Sequence, residues 1–198
     1  MHDLDASNHL VEKLQRREQI LHQAYEIAGN NGIENLHART IGKALGVNHA
    51  AVHYYFSTRK DLLIALASYA HSRFVGDLER LQAGQQTGRQ RLETHIALYE
   101  AYAKPTSRFF RVMSSMFVAA AEFDEIKKQL NAMVKDQAEK LERDLTAAKE
   151  ERAIKSDSVF AHADTLSAFL MGLCYRSQIG GIDDPTAAVD QVFASLFN

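Results

Sequence analysis

The sequence is poor in residues that interrupt helices or cross-link chains. Among its 198 residues there are 2 Pro, 1 Cys and no Trp. Scarce proline, together with abundant Ala, Leu, Glu, Lys, Arg and Gln, favours helix throughout. No convincing alternation of apolar and polar residues indicates a strand. These features predict an all-α fold.

Long apolar runs are also absent. No uninterrupted stretch approaches the roughly 20 residues that a bilayer-spanning helix needs. The N-terminus lacks the basic flank and apolar run of a signal peptide. The single Cys174 has no intrachain partner, which is typical of a reducing compartment. We therefore expect a cytoplasmic protein without a membrane partner.

Charge is unevenly distributed along the chain. The net charge is −2, but residues 13–64 carry seven Lys and Arg against four Asp and Glu. This segment is thus +3 and the remainder −5. A small basic N-terminal module on an acidic body is typical of nucleic-acid binding by the smaller part.

Two short predicted helices lie in the basic segment. Residues 41–47 read as the end of one helix, which stops at Gly46 in a position suited to positive φ. Residues 48–56 form the next, with His49, Ala50, His53 and Tyr54 within one arc of about 140°. Two helices around a short glycine-containing turn are typical of a helix-turn-helix, whose second helix enters the DNA major groove.

Hydrophobic periodicity predicts the remaining helices. The firm part of the first spans about residues 16–28, and the second spans about 38–45. Thr58 is a good N-cap for a long helix to about residue 82. The later helices are predicted over 89–103, 106–121 after Pro105, 124–154, from a Ser156 or Asp157 cap to 179, and from Pro185 onward.

The pattern divides the chain into three segments. Residues 1–15 are predicted to be a flexible N-terminal extension. Residues 16–64 are predicted to form a three-helix DNA-binding head, with the helix-turn-helix at about 37–56. A long fourth helix joins this head to residues 65–198, which read as a helical-bundle domain for effector binding and dimerisation.

The head resembles the N-terminal domain of the tetracycline-repressor (TetR) family of bacterial transcriptional regulators. The resemblance rests on Gly32-Ile-Glu-Asn-Leu, Ile41-Gly-Lys-Ala-Leu-Gly-Val47, Val52-His-Tyr-Tyr-Phe56 and Thr58-Arg-Lys-Asp-Leu-Leu63. It implies a homodimer that binds a palindromic operator. It also implies a C-terminal domain that binds a small effector and dimerises through its last two long helices. Gly42 and His37 depart from the usual residues at the second helix.

The resemblance and the helical faces together suggest DNA-contacting residues. Arg59 falls where the family carries a basic residue after the recognition helix, and other basic residues are candidates for phosphate contacts, which position the head. Side chains on the exposed arc are candidates for base edges. His49 and His53 have metal-ligand spacing, but no further ligand lies nearby, so no metal is predicted. The predicted DNA-binding set is Arg39, Thr40, Lys43, Asn48, His49, Ala50, His53, Tyr54, Arg59 and Lys60.

Two further sets are predicted in the second domain. An aromatic-rich group with a few polar tips suits a small, mostly apolar effector. It comprises His95, Tyr99, Tyr102, Phe109, Phe110, Met113 and Phe117. The seams of the last two helices are predicted to form the dimer interface, through Val159, Ala163, Leu166, Leu170, Leu173, Val189, Val192, Phe193 and Leu196.

These patterns indicate a ligand-responsive transcriptional regulator, interpreted as a repressor that an effector releases from its operator. An activator or effector-independent DNA binder is the alternative within the same fold. A further alternative is a protein-interaction adaptor that has lost DNA binding, although the presence of Arg59, Lys60 and Tyr54 argues against this alternative. A di-iron helical enzyme would need Glu-x-x-His pairs, which the sequence lacks, so neither an enzyme nor a cofactor is predicted.

Overall fold

The computed structural model describes residues 2–104, 106–182 and 184–198, with side chains from His9 onward. The described residues form nine α-helices and two short 3-10 helices. Their β-structure is limited to one isolated bridge between Ile154 and Phe197. The predicted all-α fold is therefore confirmed.

The helices follow one another with short connections. The α-helices are α1 (His2–Asn31), α2 (Ala38–Leu45), α3 (His49–Tyr55), α4 (Arg59–Gln82), α5 (Gly88–Tyr102), α6 (Arg108–Ala119), α7 (Asp124–Glu150), α8 (Ala163–Gln178) and α9 (Thr186–Leu196). The 3-10 helices are Ile33–Asn35 and Val159–Ala161.

The first helix is longer than predicted. It begins at His2 and runs without interruption to Asn31. Residues 2–15, predicted to be a flexible extension, therefore continue the helix; their flexibility stays a prediction. Leu10 and Leu14 keep helical spacing with Leu21, which allows a helix start near Ser7, but in the structure both are exposed rather than packed on a core.

Side-chain caps fix the start of α3 and α4. Asn48 Oδ1 accepts a hydrogen bond from Ala50 N at 3.0 Å, which satisfies one of the free N–H groups at the start of α3. Thr58 Oγ1 accepts from Asp61 N, and Asp61 Oδ2 accepts from Thr58 N, both at 3.0 Å. This reciprocal capping box confirms the predicted start of the long helix.

Predicted helix starts in the second domain need correction. Ser107 caps α6, so that helix begins at Arg108 rather than at residue 106; Pro105 lies outside the described residues. Neither Ser156 nor Asp157 caps α8. Ser158 instead caps the second 3-10 helix by accepting from Phe160 N, and α8 begins only at Ala163.

Two apolar cores hold the helices together. The first joins α1, α2, α3 and the first half of α4 to α6 and the first half of α7. The second joins the rest of α4 to α5, the end of α7, α8 and α9. Helix α4 crosses between them, with Leu66 and Ala70 in the first core and Phe74 and Leu78 in the second. The head therefore shares a core with α6 and α7, and the predicted boundary at residue 64 does not separate the cores.

Every helix in the described ranges is too short or too polar to cross a bilayer.

Candidate nucleic-acid interface and cavity

Helix α3 presents a polar and aromatic face to solvent. His49, Ala50, His53 and Tyr54 are all exposed, and Tyr54 is 66% accessible. On the opposite side, Val52 is buried in the head core. The predicted orientation of this helix is therefore confirmed, and its outer face is free to contact a partner.

Glycine is required at two positions around the turn between α2 and α3. Gly46 has φ 67° and ψ 27°, the left-handed conformation that ends α2. A Cβ at Gly42 would lie 2.8 Å from the backbone oxygen of Val47. Gly42 therefore allows the turn to pack closely on α2, which gives this helix-weakening residue a structural reason.

A groove of about 520 Å³ lies beside the exposed face of α3. Its walls come from α2, α3 and the start of α4. Two arginines and three histidines supply donors suited to an anionic backbone. The polar side chains that line it are His37, Arg39, Thr40, His49, His53, Thr58 and Arg59.

Other predicted DNA contacts make bonds within the protein. Arg59 donates to the carbonyl oxygens of Ile33 at 2.7 Å and Leu36 at 3.0 Å. It thus ties the start of α4 to the segment before α2, and its side chain is part of the groove lining. Lys60 Nζ donates to Glu125 Oε1 of α7 at 2.7 Å. This bond raises the pKa of Lys60 and lowers that of Glu125.

Helix α1 adds basic groups that the predicted set omitted. Lys13 Nζ lies 5.2 Å from the centre of the Tyr54 ring, and the Arg17 guanidinium lies 5.1 Å from that of Phe56. Both distances are typical of cation–π contacts. Lys13 and Arg16 also line a cleft with Tyr54 and Tyr55. In the sequence, the only signal for Lys13, Arg16 and Arg17 is the excess of basic residues over 13–64.

A cavity of about 60 Å³ lies among α4 to α8. Five of the seven predicted pocket residues line it: Tyr99, Phe109, Phe110, Met113 and Phe117. The remaining lining was not predicted, because it depends on which faces of α4, α7 and α8 meet. It consists of His71, Phe74, Leu130, Met133, Val134, Gln137, Ser167 and Met171.

His95 and Tyr102 were wrongly assigned to this cavity. Tyr102 donates its hydroxyl proton to Asp77 at 2.6 Å and lines a separate surface groove. His95 is fully buried against Asp144. Both share a helix with Tyr99, but their side chains leave α5 in other directions.

His95 belongs to a buried polar cluster around Asp144. His95 Nδ1 donates to Asp144 Oδ2 at 3.2 Å, and Gln82 Nε2 donates to the same oxygen at 3.0 Å. Arg91 Nε lies 3.4 Å from Asp144 Oδ1. Burial opposes ionisation of Asp144, but the hydrogen bonds from His95 and Gln82 outweigh it and lower its pKa. The cluster links α4, α5 and α7.

One wall of the cavity is polar. Gln137 is only 7% exposed, and its Nε2 lies 3.0 Å from His71 Nε2. Gln137 Oε1 has no hydrogen-bond partner among the described residues. His71 Nε2 also lies 3.3 Å from Asp136 Oδ2. Burial lowers the pKa of His71 despite the opposing attraction of Asp136.

The predicted dimer seam faces the interior of its own subunit. Seven of its members are at least nine-tenths buried within the second core, so they cannot form a surface for another copy. The prediction is wrong for Ala163, Leu166, Leu170, Leu173, Val189, Val192 and Leu196. Val159 lies in the second 3-10 helix and is 63% exposed, and Phe193 is partly buried; their role at an interface stays a prediction.

The architecture defines a class of protein: an all-helical chain whose helix-turn-helix head is built onto a larger helical body. The sequence model described as "Bacterial regulatory proteins, tetR family" matches residues 20–66. An HTH-type transcriptional repressor of Mycobacterium tuberculosis is 35% identical over 78 residues, which cover 39% of this chain and 29% of the relative. An uncharacterised HTH-type regulator of Mycobacterium bovis matches to the same extent.

Solved structures share the fold over nearly the whole chain. A transcriptional regulator from Saccharomonospora viridis in complex with choline has a TM-score of 0.82 at 16% identity, covering 93% of this chain and 98% of that one. A SmeT–triclosan complex has a TM-score of 0.70 at 21% identity, covering 92% and 91%. A TetR-family regulator from Rhodococcus sp. has a TM-score of 0.73 at 18% identity, covering 91% and 96%.

The sequence matches lie in the N-terminal part of the chain, and the solved structures share the fold of nearly the whole chain. The head, residues 20–66, matches the model of the TetR family of bacterial regulatory proteins, and the whole chain has the same fold as the TetR-family structure from Rhodococcus sp.. The mycobacterial relatives that match this chain are named as HTH-type transcriptional regulators.

Proposed function

We propose that the chain is a ligand-responsive repressor that binds a palindromic operator as a homodimer. The exposed face of α3, beside a groove lined by Arg39 and Arg59, is the observation that carries the proposal. An α-helix fits the major groove, and flanking basic groups hold it there through phosphates. The repressor named among the mycobacterial relatives favours repression.

The outer stripe of α8 is a better dimer surface than the predicted seam. Thr165, Ala168 and Gly172 are spaced on one face of α8 and are exposed or partly exposed, and the exposed Ile179 directly follows the helix. Ala187 and Ala194 are exposed on α9. Small side chains let helices of two copies approach closely, and Ile179, 82% exposed, supplies apolar area.

Direct contacts provide a route from the cavity to the head. Arg108 at the start of α6 donates to Asn30 Oδ1 of α1 at 3.1 Å and pairs with Glu26. Arg111 donates to the Asn30 carbonyl at 3.3 Å. A ligand that moves α6 would therefore displace α1, and with it the head. The repressor would leave DNA because the two heads no longer match half-sites about one helical turn apart.

Selection from a random duplex library tests the DNA-binding part. The full-length protein would be incubated with the library at about 0.15 M salt, where non-specific phosphate binding is weakened. We expect enrichment of an inverted repeat. Recovery of only unspecific, salt-sensitive DNA would contradict the proposal and favour an interaction protein.

A solution measurement tests the dimer. Sedimentation should give twice the chain mass, and Ala168→Arg should give monomers because it places a long charged side chain in the α8 stripe. Thr146→Arg, a long charged side chain on an exposed part of α7, is the matched control and should stay dimeric. A wild-type monomer on operator DNA would refute the homodimer.

The small size of the cavity favours a second candidate, an effector-independent regulator or activator. A volume of about 60 Å³ is about twice that of one water molecule in the liquid. Mass spectrometry of the supernatant after denaturation would show whether the purified protein carries a ligand. A reporter under the selected operator, with and without the protein, would separate repression from activation.

A further inference from the structure

The described residues that line the cavity include no Asp, Glu, Lys or Arg that could balance a charged ligand. Phe74, Phe109, Phe110 and Phe117 supply most of its aromatic surface. Asp136 and Lys140 bind each other on α7, and neither is among the lining residues of the cavity. Because an unpaired ion is strongly disfavoured in such surroundings, the lining selects for a neutral molecule.

The buried amide of Gln137 supplies a specific polar anchor. One end of the amide is held by His71, and the other end finds no partner among the described residues. An unpaired buried amide is unfavourable, so a ligand group that completes it gains affinity. A hydroxyl can donate to the amide oxygen or accept from the amide nitrogen. It therefore satisfies Gln137 whichever end faces the ligand.

His71 fits this arrangement as a neutral group. It lies on α4 at the cavity wall, and burial lowers its pKa below the usual value. Its Nε2 contacts Gln137 and Asp136, so the imidazole positions the amide rather than charging the cavity. The polar anchor thus adds one hydrogen bond without adding a net charge.

Methionines allow the cavity to expand. Met113, Met133 and Met171 line it from α6, α7 and α8. Their unbranched, flexible side chains adapt to different shapes more readily than branched or aromatic ones. An apolar cavity of about 150 Å³ accepts benzene, so a single aromatic ring requires these side chains to move.

We propose that the effector is a small neutral aromatic molecule with one hydroxyl group, which hydrogen-bonds to the Gln137 side chain. This inference rests on the proposed function of the cavity as an effector site. It goes further by assigning the ligand's charge, its polar group and the residue that recognises it. The methionine face accommodates the aromatic ring.

Calorimetry with matched single-ring compounds tests the proposal on the full-length protein. The set is p-cresol, p-xylene, 4-methylbenzoate and 4-methylbenzylammonium, which share a ring and differ in one substituent. We expect p-cresol to bind about fivefold to tenfold tighter than p-xylene, as one buried hydrogen bond gives. The two ions should bind more weakly than either.

Gln137→Met removes the amide and keeps a chain of similar length. It should abolish the preference for p-cresol and leave p-xylene binding unchanged. Glu139→Met, on the exposed side of the same helix, is the control and should keep the preference. The wild-type ranking decides the proposal even if Gln137→Met does not fold.

The outcomes separate this inference from the proposed function. Equal binding of p-cresol and p-xylene would overturn the hydroxyl assignment while supporting an effector cavity. Tighter binding of either ion would overturn the assignment of a neutral ligand. Failure of all four to bind a protein that still selects an operator would overturn this inference and favour the effector-independent regulator.

Discussion

The helix-turn-helix head and the helical body differ in how the sequence determines the candidate site in each. In the head, a few neighbouring residues determine the site: Asn48 caps α3, Gly46 ends α2, and the turn fixes their angle. In the body, Gln137 meets His71 across 66 positions of sequence, and five helices line one cavity. The head therefore depends on local geometry, whereas the body depends on distant packing. Substitutions in the head should therefore change mainly operator affinity, and substitutions in the body should change mainly the free energy of unfolding.

The largest effect is expected from Asp144→Asn in the body. The substitution removes a fully buried carboxylate that His95, Gln82 and Arg91 surround. Breaking a buried ionic cluster leaves its other members unpaired and should lower the free energy of unfolding by about 3 kcal/mol. Urea unfolding followed by circular dichroism would measure the loss.

A surface pair on the same helix provides the control for Asp144→Asn. Glu139 lies 3.7 Å from Lys135, and both side chains are largely exposed. Glu139→Gln should change the free energy of unfolding by less than about 0.5 kcal/mol. Similar losses in both variants would show that the Asp144 cluster is no more important than an ordinary surface pair.

The next effect is expected in the head and only on DNA binding. Tyr54→Ala should lower specific operator affinity by about tenfold to a hundredfold if the ring contacts a base edge. Arg39→Ala should weaken specific and unspecific binding alike and reduce the salt slope by about one. Titration of labelled operator at several salt concentrations separates the two roles.

An exposed basic residue outside the head tests whether this effect is local. Lys135 lies on α7 with its side chain 79% exposed, so Lys135→Ala removes a charge without touching α3. Its operator affinity and salt slope should equal those of the wild type. A loss as large as that of Arg39→Ala would mean that overall charge, rather than the groove, governs binding.

The difference between head and body also explains what could be predicted from sequence. Helix α2 was placed correctly at both ends, and α3 within one residue, because caps and the turn glycine are short-range signals. The aromatic half of the cavity was found because Phe109, Phe110, Met113 and Phe117 are neighbours on α6. Gln137 and His71 were missed because nothing in their local sequence distinguishes them from ordinary surface residues.

The dimer seam failed for a related reason. A stripe of Leu residues on α8 indicates a buried face, but it does not show whether the same subunit or a second copy of the chain covers that face. In the structure, Leu166, Leu170 and Leu173 pack on their own subunit, and the outward stripe is made of small residues. Long-range packing decides between these two uses of an apolar face.

Gly42→Ala should be an exception to this division, because this substitution in the head should change stability as well as operator affinity. Helix propensity alone would predict a gain of about 1 kcal/mol. The added Cβ would instead lie 2.8 Å from the Val47 oxygen, and overpacking of this kind costs about 1–3 kcal/mol. Because the displaced backbone leads into α3, both stability and operator affinity should fall.

Gly76 provides the matched control for Gly42. It lies inside α4, and a Cβ there would have no neighbour within 4 Å among the described residues, apart from the backbone of its own helix. Gly76→Ala should raise the free energy of unfolding by up to about 1 kcal/mol and leave operator affinity unchanged. A gain at both positions would show that the turn tolerates a methyl group at Gly42.

Acid should destabilise the body because it protonates the buried carboxylate of Asp144. The pKa of Asp144 is lowered in the folded protein, so near and below its ordinary value of 3.8 the unfolded chain binds more protons. Stability is therefore retained above that pH and lost as pH falls through the folded pKa. Asp144→Asn should show a shallower loss between pH 5 and 3 in urea unfolding, and identical slopes would contradict this account.

The smallest effect is expected where the two regions touch. The Lys60–Glu125 bond joins the start of α4 to α7, but both groups are solvent-exposed. Exposed pairs contribute little to stability and are screened by salt, so Glu125→Gln should leave urea unfolding unchanged. If the bond holds the head in one position relative to the body, operator affinity should still change, by less than about threefold and only at low salt.

Lys60→Gln also removes a positive charge from the start of α4, beside the proposed DNA-binding face, so the double variant is needed to isolate the contribution of the Lys60–Glu125 pair. Additive effects of the two substitutions on operator affinity would mean that the bond carries no signal between body and head, and that the route through Arg108 and α1 acts alone.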